Sequence, residues 1–459
     1  MQLLLKHLRP HLLPLGIALL FIMGYTAGLY EQLFHLAPPA AISLTILLVT
    51  ALFWVTETFP LYITSMGVLA LSTLWLLPNL PAEAAEEGKA PFFQAFFGDI
   101  TLLFMGGFVL SALLNKYGLA QRMANWVIRQ TGSQPSRVLF GLILISALLS
   151  MWMSNTATAA MMFAIIGPVV ISIPPSSTFA RGMALSIPFA CNIGGLGTPI
   201  GTPPNAIALE YLAQAGISIS FARWMFISLP LLILLLLALW WLLLRLYPPG
   251  DFSIEMQEDE YGESGFTGRQ YLVMGIFALT ILGWLTGGFT GLSTGTVGLL
   301  CLLASFGLRL LKTPDFRNIS WDILFMLGGG LCLGVGLNRS GLTEAIAGAI
   351  PMEEGFWVVF GLMLLLAAGM TTFMSNTATA NLLIPVAISL SGNELLLSIA
   401  IAIMCSSSMA LPVSTPPNAI AFGSGMLEAK DMLRAGLVIT FLALLITLVA
   451  SIFYIPLFL

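Results

Sequence analysis

Two seven-residue runs each occur twice in this chain, in the same order, and no other feature constrains the fold as strongly. Met153-Ser-Asn-Thr-Ala-Thr-Ala159 recurs letter for letter at Met374 to Ala380, and Thr202-Pro-Pro-Asn-Ala-Ile-Ala208 recurs at Thr415 to Ala421. Upstream, Asp99-Ile, Gly106-Gly107, Asn115 and Gly118-Leu119 match Asp322-Ile, Gly329-Gly330, Asn338 and Gly341-Leu342 at a constant offset of 223 residues. Self-similarity at a fixed spacing means that one structural unit occurs twice and must pack against its copy.

The surroundings of those copies set the solvent. Of 459 residues, 58% are hydrophobic and only 8% charged, against about 25% charged in a soluble domain. So few charges cannot keep such a chain in water. It is a polytopic membrane protein, which excludes a soluble enzyme, a secreted disulfide scaffold and a nucleic-acid binder. The net charge of −4 comes without any dense block of Lys or Arg. Cys191, Cys301, Cys332 and Cys405 stand singly in apolar runs and read as small buried hydrophobes. His7, His11 and His35 are confined to the N-terminal end, so the body of the chain has no imidazole for a metal centre or a catalytic triad. Met1 to Pro14, with Lys6, His7 and Arg9, reads as a cytoplasmic lead-in to the first helix rather than a cleaved signal.

A crossing helix needs about 20 mostly apolar residues. Plausible spans are 14–33, 40–58, 60–78, 97–117, 178–215, 224–247, 269–289, 292–311, 320–338, 394–427 and 433–457. Two pairs of shorter apolar helices, 135–153 with 155–173 and 356–374 with 376–391, each fold around a polar motif and read as re-entrant hairpins. The expected fold is all-α, with eleven transmembrane helices and two hairpins in an inverted repeat. With the N-terminus inside, 14 of the 17 Lys and Arg residues fall on the cytoplasmic face and only Lys89, Arg223 and Arg339 outside, as the positive-inside rule requires. This places the C-terminus outside. An acidic stretch between Pro248 and Gly268, with Asp251, Glu255, Glu258, Asp259, Glu260 and Glu263, reads as a solvated linker between the halves. Gly118 to Gln130, with Arg122, Trp126 and Arg129, suits a helix lying in the interface.

Inverted repeats with interrupted helices are a transporter architecture. Ser and Asn are strong N-cap residues, so the second arm of each hairpin starts at Ser154-Asn155-Thr156 or Ser375-Asn376-Thr377. A helix start presents unpaired N–H groups and about half a positive charge, which suits a carboxylate. The preceding arm ends in free carbonyls, which suit a hard cation. Each Thr-Pro-Pro-Asn run breaks a long span, because proline removes an N–H and clashes with the preceding turn. Such a break survives in lipid only when protein or a water-filled cavity surrounds it. Since no Lys or Arg lies near these motifs, a bound dianion needs co-bound cations to neutralise it. Na⁺ fits the oxygen-rich motifs better than protons do, because the motifs lack Asp, Glu and His. Glu57, Asp99, Glu210, Asp322 and Glu344 read as interfacial or structural.

At these residues the sequence resembles the divalent anion:sodium symporter family of di- and tricarboxylate or sulfate carriers. Beyond the four motifs, Gly423-Ser-Gly425, Asp431-Met432 and Gly436 match its closing stretch, and the likeness runs over nearly the whole chain; Met409 and Ala421 depart from it with apolar exchanges. The resemblance implies a homodimer in the cell's inner (plasma) membrane, binding two or more Na⁺ and no organic cofactor. Each protomer would have scaffold parts at 1–134 and 269–354, joined through the linker 248–268 to mobile transport parts at 135–247 and 355–459. Carried over by position, one Na⁺ would lie at Ser150, Ser154, Asn155 and Gly201, and a second at Thr371, Met374, Asn376 and Ser414. The substrate would meet Asn155, Thr156, Thr202, Pro203, Ser375, Asn376, Thr377, Thr415 and Pro416. The expected activity is Na⁺-coupled uptake of C4-dicarboxylates such as succinate, malate or fumarate by an elevator mechanism. An exchanger of dicarboxylates, 2-oxoglutarate or citrate, a sulfate carrier and an anion channel are the alternatives. A membrane-embedded enzyme is the most distant, since no nucleophile has a neighbouring base.

Overall fold

A computed structural model describes residues 2–171, 173–174, 177–250, 252–254, 265–349, 355–390 and 393–458. The acidic residues of the expected linker, from Asp251 to Glu263, lie outside them. Among the described residues the secondary structure is entirely helical.

The first half opens with α1 (Gln2–Thr26), which is helical almost from the first residue, and Gly28, in a left-handed conformation, turns the chain into α2 (Leu29–Phe34). Then come α3 (Pro38–Thr56), α4 (Leu61–Leu71, prolonged by irregular turns to Asn79), the short α5 (Ala82–Ala85) and α6 (Ala90–Gln94), and α7 (Asp99–Lys116). A second helix, α8 (Leu119–Gln130), is the expected amphipathic arm. The first hairpin is α9 (Pro135–Ser150) with α10 (Asn155–Ile171), the first broken span is α11 (Phe179–Gly194) with α12 (Pro203–Gln214), and α13 (Phe221–Leu246) closes the half. The second half repeats this plan: α14 (Gly268–Thr290), α15 (Thr294–Gly307), the short α16 (Thr313–Arg317), α17 (Trp321–Arg339), α18 (Leu342–Ala349), the hairpin α19 (Phe356–Phe373) with α20 (Asn376–Ser389), the broken span α21 (Glu394–Ser407) with α22 (Pro416–Gly423), and α23 (Ala429–Phe453).

Eight of these helices are long and apolar enough to cross a bilayer. Three of the expected spans fall short of that length for identifiable reasons: two are broken at their Thr-Pro-Pro-Asn runs, and α15 has 14 residues between its Ser293 cap and Leu308; α1 carries an apolar stretch at His11–Thr26. The eighth long helix is α19, an arm of the second hairpin.

The halves make the same contacts with partners exchanged. Helix α7 of the first half packs against α15 of the second, and α17 of the second packs against α4 of the first. The first contact is backbone on backbone: a Cβ on Gly106 would sit 2.5 Å from Gly298 Cα, and one on Gly298 would sit 2.4 Å from Leu102 O. Neither neighbour can rotate away, so Gly298→Ala is expected to cost about 1–3 kcal/mol by overpacking. The check is the thermal unfolding midpoint in detergent, and an unchanged midpoint would refute this packing. At the end of α7, Lys116 donates to Asp315 at 2.6 Å, and that hydrogen bond holds the Asp315 carboxyl below its ordinary range. Asp99, at the start of α7, accepts from Ser293, Thr294 Oγ1 and the Gly295 amide, which makes it a cap for α15 and bears out its structural reading.

Candidate functional site

Each hairpin turns where the sequence places the turn, and for the expected reason. Ser154 Oγ accepts from the Ala157 amide at 3.2 Å, and Ser375 Oγ accepts from the Ala378 amide at 3.1 Å. The N-cap hydroxyls thus start α10 and α20 beside Asn155 and Asn376.

Behind each cap lies a cluster of oxygens. In the second copy, Thr371 Oγ1 is 2.6 Å from Asn376 Oδ1 and 2.9 Å from Cys405 O. One hydroxyl proton cannot fully serve two acceptors, so this group is short of positive charge. In the first copy, Ser150 Oγ lies 2.6 Å from Asn155 Oδ1, and that amide also faces Gly201 O and Cys191 O. Turned over, the amide would donate to Gly201 O at 3.2 Å and Cys191 O at 3.3 Å. Held with its oxygen inward, it completes a four-oxygen group of the type that ligates a hard monovalent cation. Among the described residues no group of His, Cys, Asp or Glu is arranged to hold a metal ion.

The breaks are held open by an asparagine in each Thr-Pro-Pro-Asn run. Asn205 Nδ2 donates to Gly195 O at 2.9 Å and Thr198 O at 2.8 Å, while Asn418 Nδ2 donates to Met409 O and Leu411 O, both at 3.0 Å. These carbonyls end a severed helix inside the protein, all but that of half-buried Leu411 in a buried place, where an unpaired polar group is costly. Gly201 is required here because a Cβ would sit 2.4 Å from Gly195 O.

The two breaks also bond to each other. Asn192 Nδ2 donates to Thr415 Oγ1 at 3.1 Å, and Ser406 Oγ donates to Thr202 Oγ1 at 3.5 Å. Helix α12 packs on α20 and α21, and α22 packs on α10 and α11, so each hairpin leans on the break of the other half. Four helix starts and the carbonyls of the severed ends therefore belong to one interlocked core.

Of the residues expected at the site, the structure brings Ser150, Asn155 and Gly201 together, and likewise Thr371 with Asn376. Ser154 spends its hydroxyl on the cap, and Met374 closes the preceding arm through its amide to Met370 O. Ser414 Oγ donates to Thr372 O at 3.1 Å, next to rather than within the second oxygen group. Thr202 and Thr415 are buried in the seam between the breaks, Thr377 is buried, Pro203 and Ser375 are half-buried, and Thr156 and Pro416 are exposed. Residues missed by sequence reasoning are Asn192, Ser406, Asn205, Asn418 and the carbonyls of Cys191 and Cys405. Asn205 and Asn418 could have been found, since they sit in the repeated motif; a main-chain carbonyl leaves no trace in side-chain chemistry. The four cysteines themselves are free and buried as expected.

A helical bundle with duplicated hairpins and interrupted spans defines a polytopic membrane transporter. The chain belongs to the citrate transporter family, whose model matches residues 51–397. It is 30% identical to a sodium-dependent dicarboxylate transporter, SdcS, of Staphylococcus saprophyticus, over 92% of this chain and 87% of that protein. The SdcS of Staphylococcus aureus is also 30% identical, over 90% of this chain and 85% of the relative. Among solved structures it is similar in fold to the YdaH transporter of Alcanivorax borkumensis, with a TM-score of 0.58, 15% identity, and 91% and 98% of the two chains covered. The family is one of transporters, not enzymes, and the protein is a multi-pass membrane protein.

Proposed function

We propose that the protein is a Na⁺-coupled carrier of C4-dicarboxylates such as succinate, malate or fumarate, working by an elevator-type alternating-access cycle in the cell's inner (plasma) membrane. The observation that carries this reading is the oxygen group at each hairpin tip, Ser150 with Asn155, Cys191 O and Gly201 O, and Thr371 with Asn376 and Cys405 O. Two such groups beside helix starts suit two cations next to a dianion, and the cations supply the positive charge that the side chains lack. The names of the SdcS relatives support both solutes.

In this reading 1–134 and 269–354 form the scaffold, and 135–247 and 355–459 the moving part. The packing of α7 on α15 and of α4 on α17 supports the first grouping, and the interlocked hairpins and breaks support the second. The protomer would pair as a homodimer, with its N-terminus cytoplasmic and its C-terminus outside.

Purified protein in liposomes is expected to concentrate labelled succinate only when Na⁺ is imposed outside. Citrate belongs in the panel of competitors because of the family's description. Equal uptake in K⁺, or movement only in exchange for internal acid, would replace symport by antiport. Dissipation of an anion gradient without Na⁺ would indicate a channel.

A further inference from the structure

The two hairpin tips are alike in sequence but not in surroundings. In the first, Trp152 lies between Ser150 and Ser154. Its indole stacks on Phe221 at the start of α13, with centroids 6.3 Å and planes 15° apart, and meets the edge of Phe277 of α14 at 5.8 Å. Phe221 in turn stacks on Trp284 of α14, at 5.2 Å and 10°. A ladder of rings thus runs from the first oxygen group to α14. The matching position of the second tip, 221 residues on, is Phe373, and it is 73% exposed.

The second half of the comparison is the surface each tip would meet. Helix α14 corresponds to α3: Trp284 Nε1 donates to Thr294 O at the start of α15, at 2.9 Å, and Trp54 Nε1 donates to Leu61 O at the start of α4, at 3.3 Å. The 230-residue step from Trp54 to Trp284 also takes Leu47 to Phe277. Leu47 is therefore the counterpart, on α3, of the residue that holds the first tip on α14.

We propose that Trp152 is a positioning residue that docks the first tip on α14 in this conformation, and that Phe373 docks the second tip on α3 beside Leu47 in the opposite one. The proposal rests on the elevator reading above. Repeats of one plan exchange conformations when access alternates, so the contact made by one tip here is the contact the other makes there. Trading one docked ring for the other keeps both states accessible, and a cation at Ser150 and Asn155 orders the residues on either side of Trp152. Ion occupancy would thereby bias which tip is docked.

Two cysteine pairs test this in full-length protein, against a background of native cysteines that are all buried. Trp152→Cys with Phe277→Cys, bridged by a short bis-methanethiosulfonate reagent, is expected to lower succinate uptake by about tenfold or more, with recovery on reduction. Phe373→Cys with Leu47→Cys is expected to bridge only while the first tip is free, and not when the first pair is already bridged. Trp152→Ala should lose most uptake while remaining monodisperse, and Trp152→Phe should restore it. Undiminished transport with the first pair bridged, or failure of the second pair to bridge in cycling protein, would overturn the inference. If wild-type protein shows no Na⁺-driven uptake, the functional reading fails instead. The bridging of the second pair, read on a gel without any transport assay, still decides the docking.

Discussion

Asn155→Ala and Asn376→Ala are each expected to abolish Na⁺-dependent succinate uptake while the protein still inserts and runs as a single species. Each asparagine presents its amide to its hairpin-tip group, 2.6 Å from Ser150 Oγ or Thr371 Oγ1, and with its oxygen turned inward supplies a ligand. Truncation removes that ligand and leaves a group too poor in oxygen to replace water around the ion. Even partners that only support a metal ligand cost about 10–100-fold in affinity when removed, so a direct ligand is expected to cost at least about 100-fold. Because the neighbouring helix start needs the ion to neutralise its dianion, the loss reaches substrate binding as well. Ser150→Ala and Thr371→Ala, milder versions, should raise the Na⁺ concentration for half-maximal uptake more than they lower the maximal rate. Wild-type rates in either asparagine variant would refute the site.

The second large effect is structural. Asn205→Ala and Asn418→Ala remove the clamps across the breaks: Thr198 O and Leu411 O keep the Gly201 and Ser414 amides as donors, but Gly195 O or Met409 O loses its side-chain donor. With one orphaned carbonyl each, either substitution is expected to cost about 1–3 kcal/mol. The measurement is the thermal midpoint together with the monodisperse fraction in detergent, and both should fall sharply. This differs from Asn155→Ala, which should spare folding and remove transport. A melting transition unmoved in Asn205→Ala would show that water, rather than the side chain, serves those carbonyls.

Much of this arrangement is legible in the sequence, because its signals are local. The hairpin turns follow from Ser-Asn caps, the breaks from paired prolines, and the spans from apolar runs, with boundaries matched to within a few residues over most of the chain. The length of α15 is less legible: Leu308, Leu310 and Leu311 are apolar, but the helix stops before them at Gly307. What sequence could not supply is which buried groups face each other across the halves. Asn192 looks like an isolated polar residue in an apolar helix, and only the fold shows it donating to Thr415. Cys191 and Cys405 read correctly as small apolar side chains, yet it is their carbonyls that enter the tips, Cys191 O facing Asn155 and Cys405 O accepting from Thr371.

The bonds from Asn192 to Thr415 and from Ser406 to Thr202 run in opposite senses between the halves. Each half clamps its own severed helix through Asn205 or Asn418, and each break is also tied to the other half. A polypeptide carrying one copy of the plan would therefore need a second copy to make either of these cross-bonds.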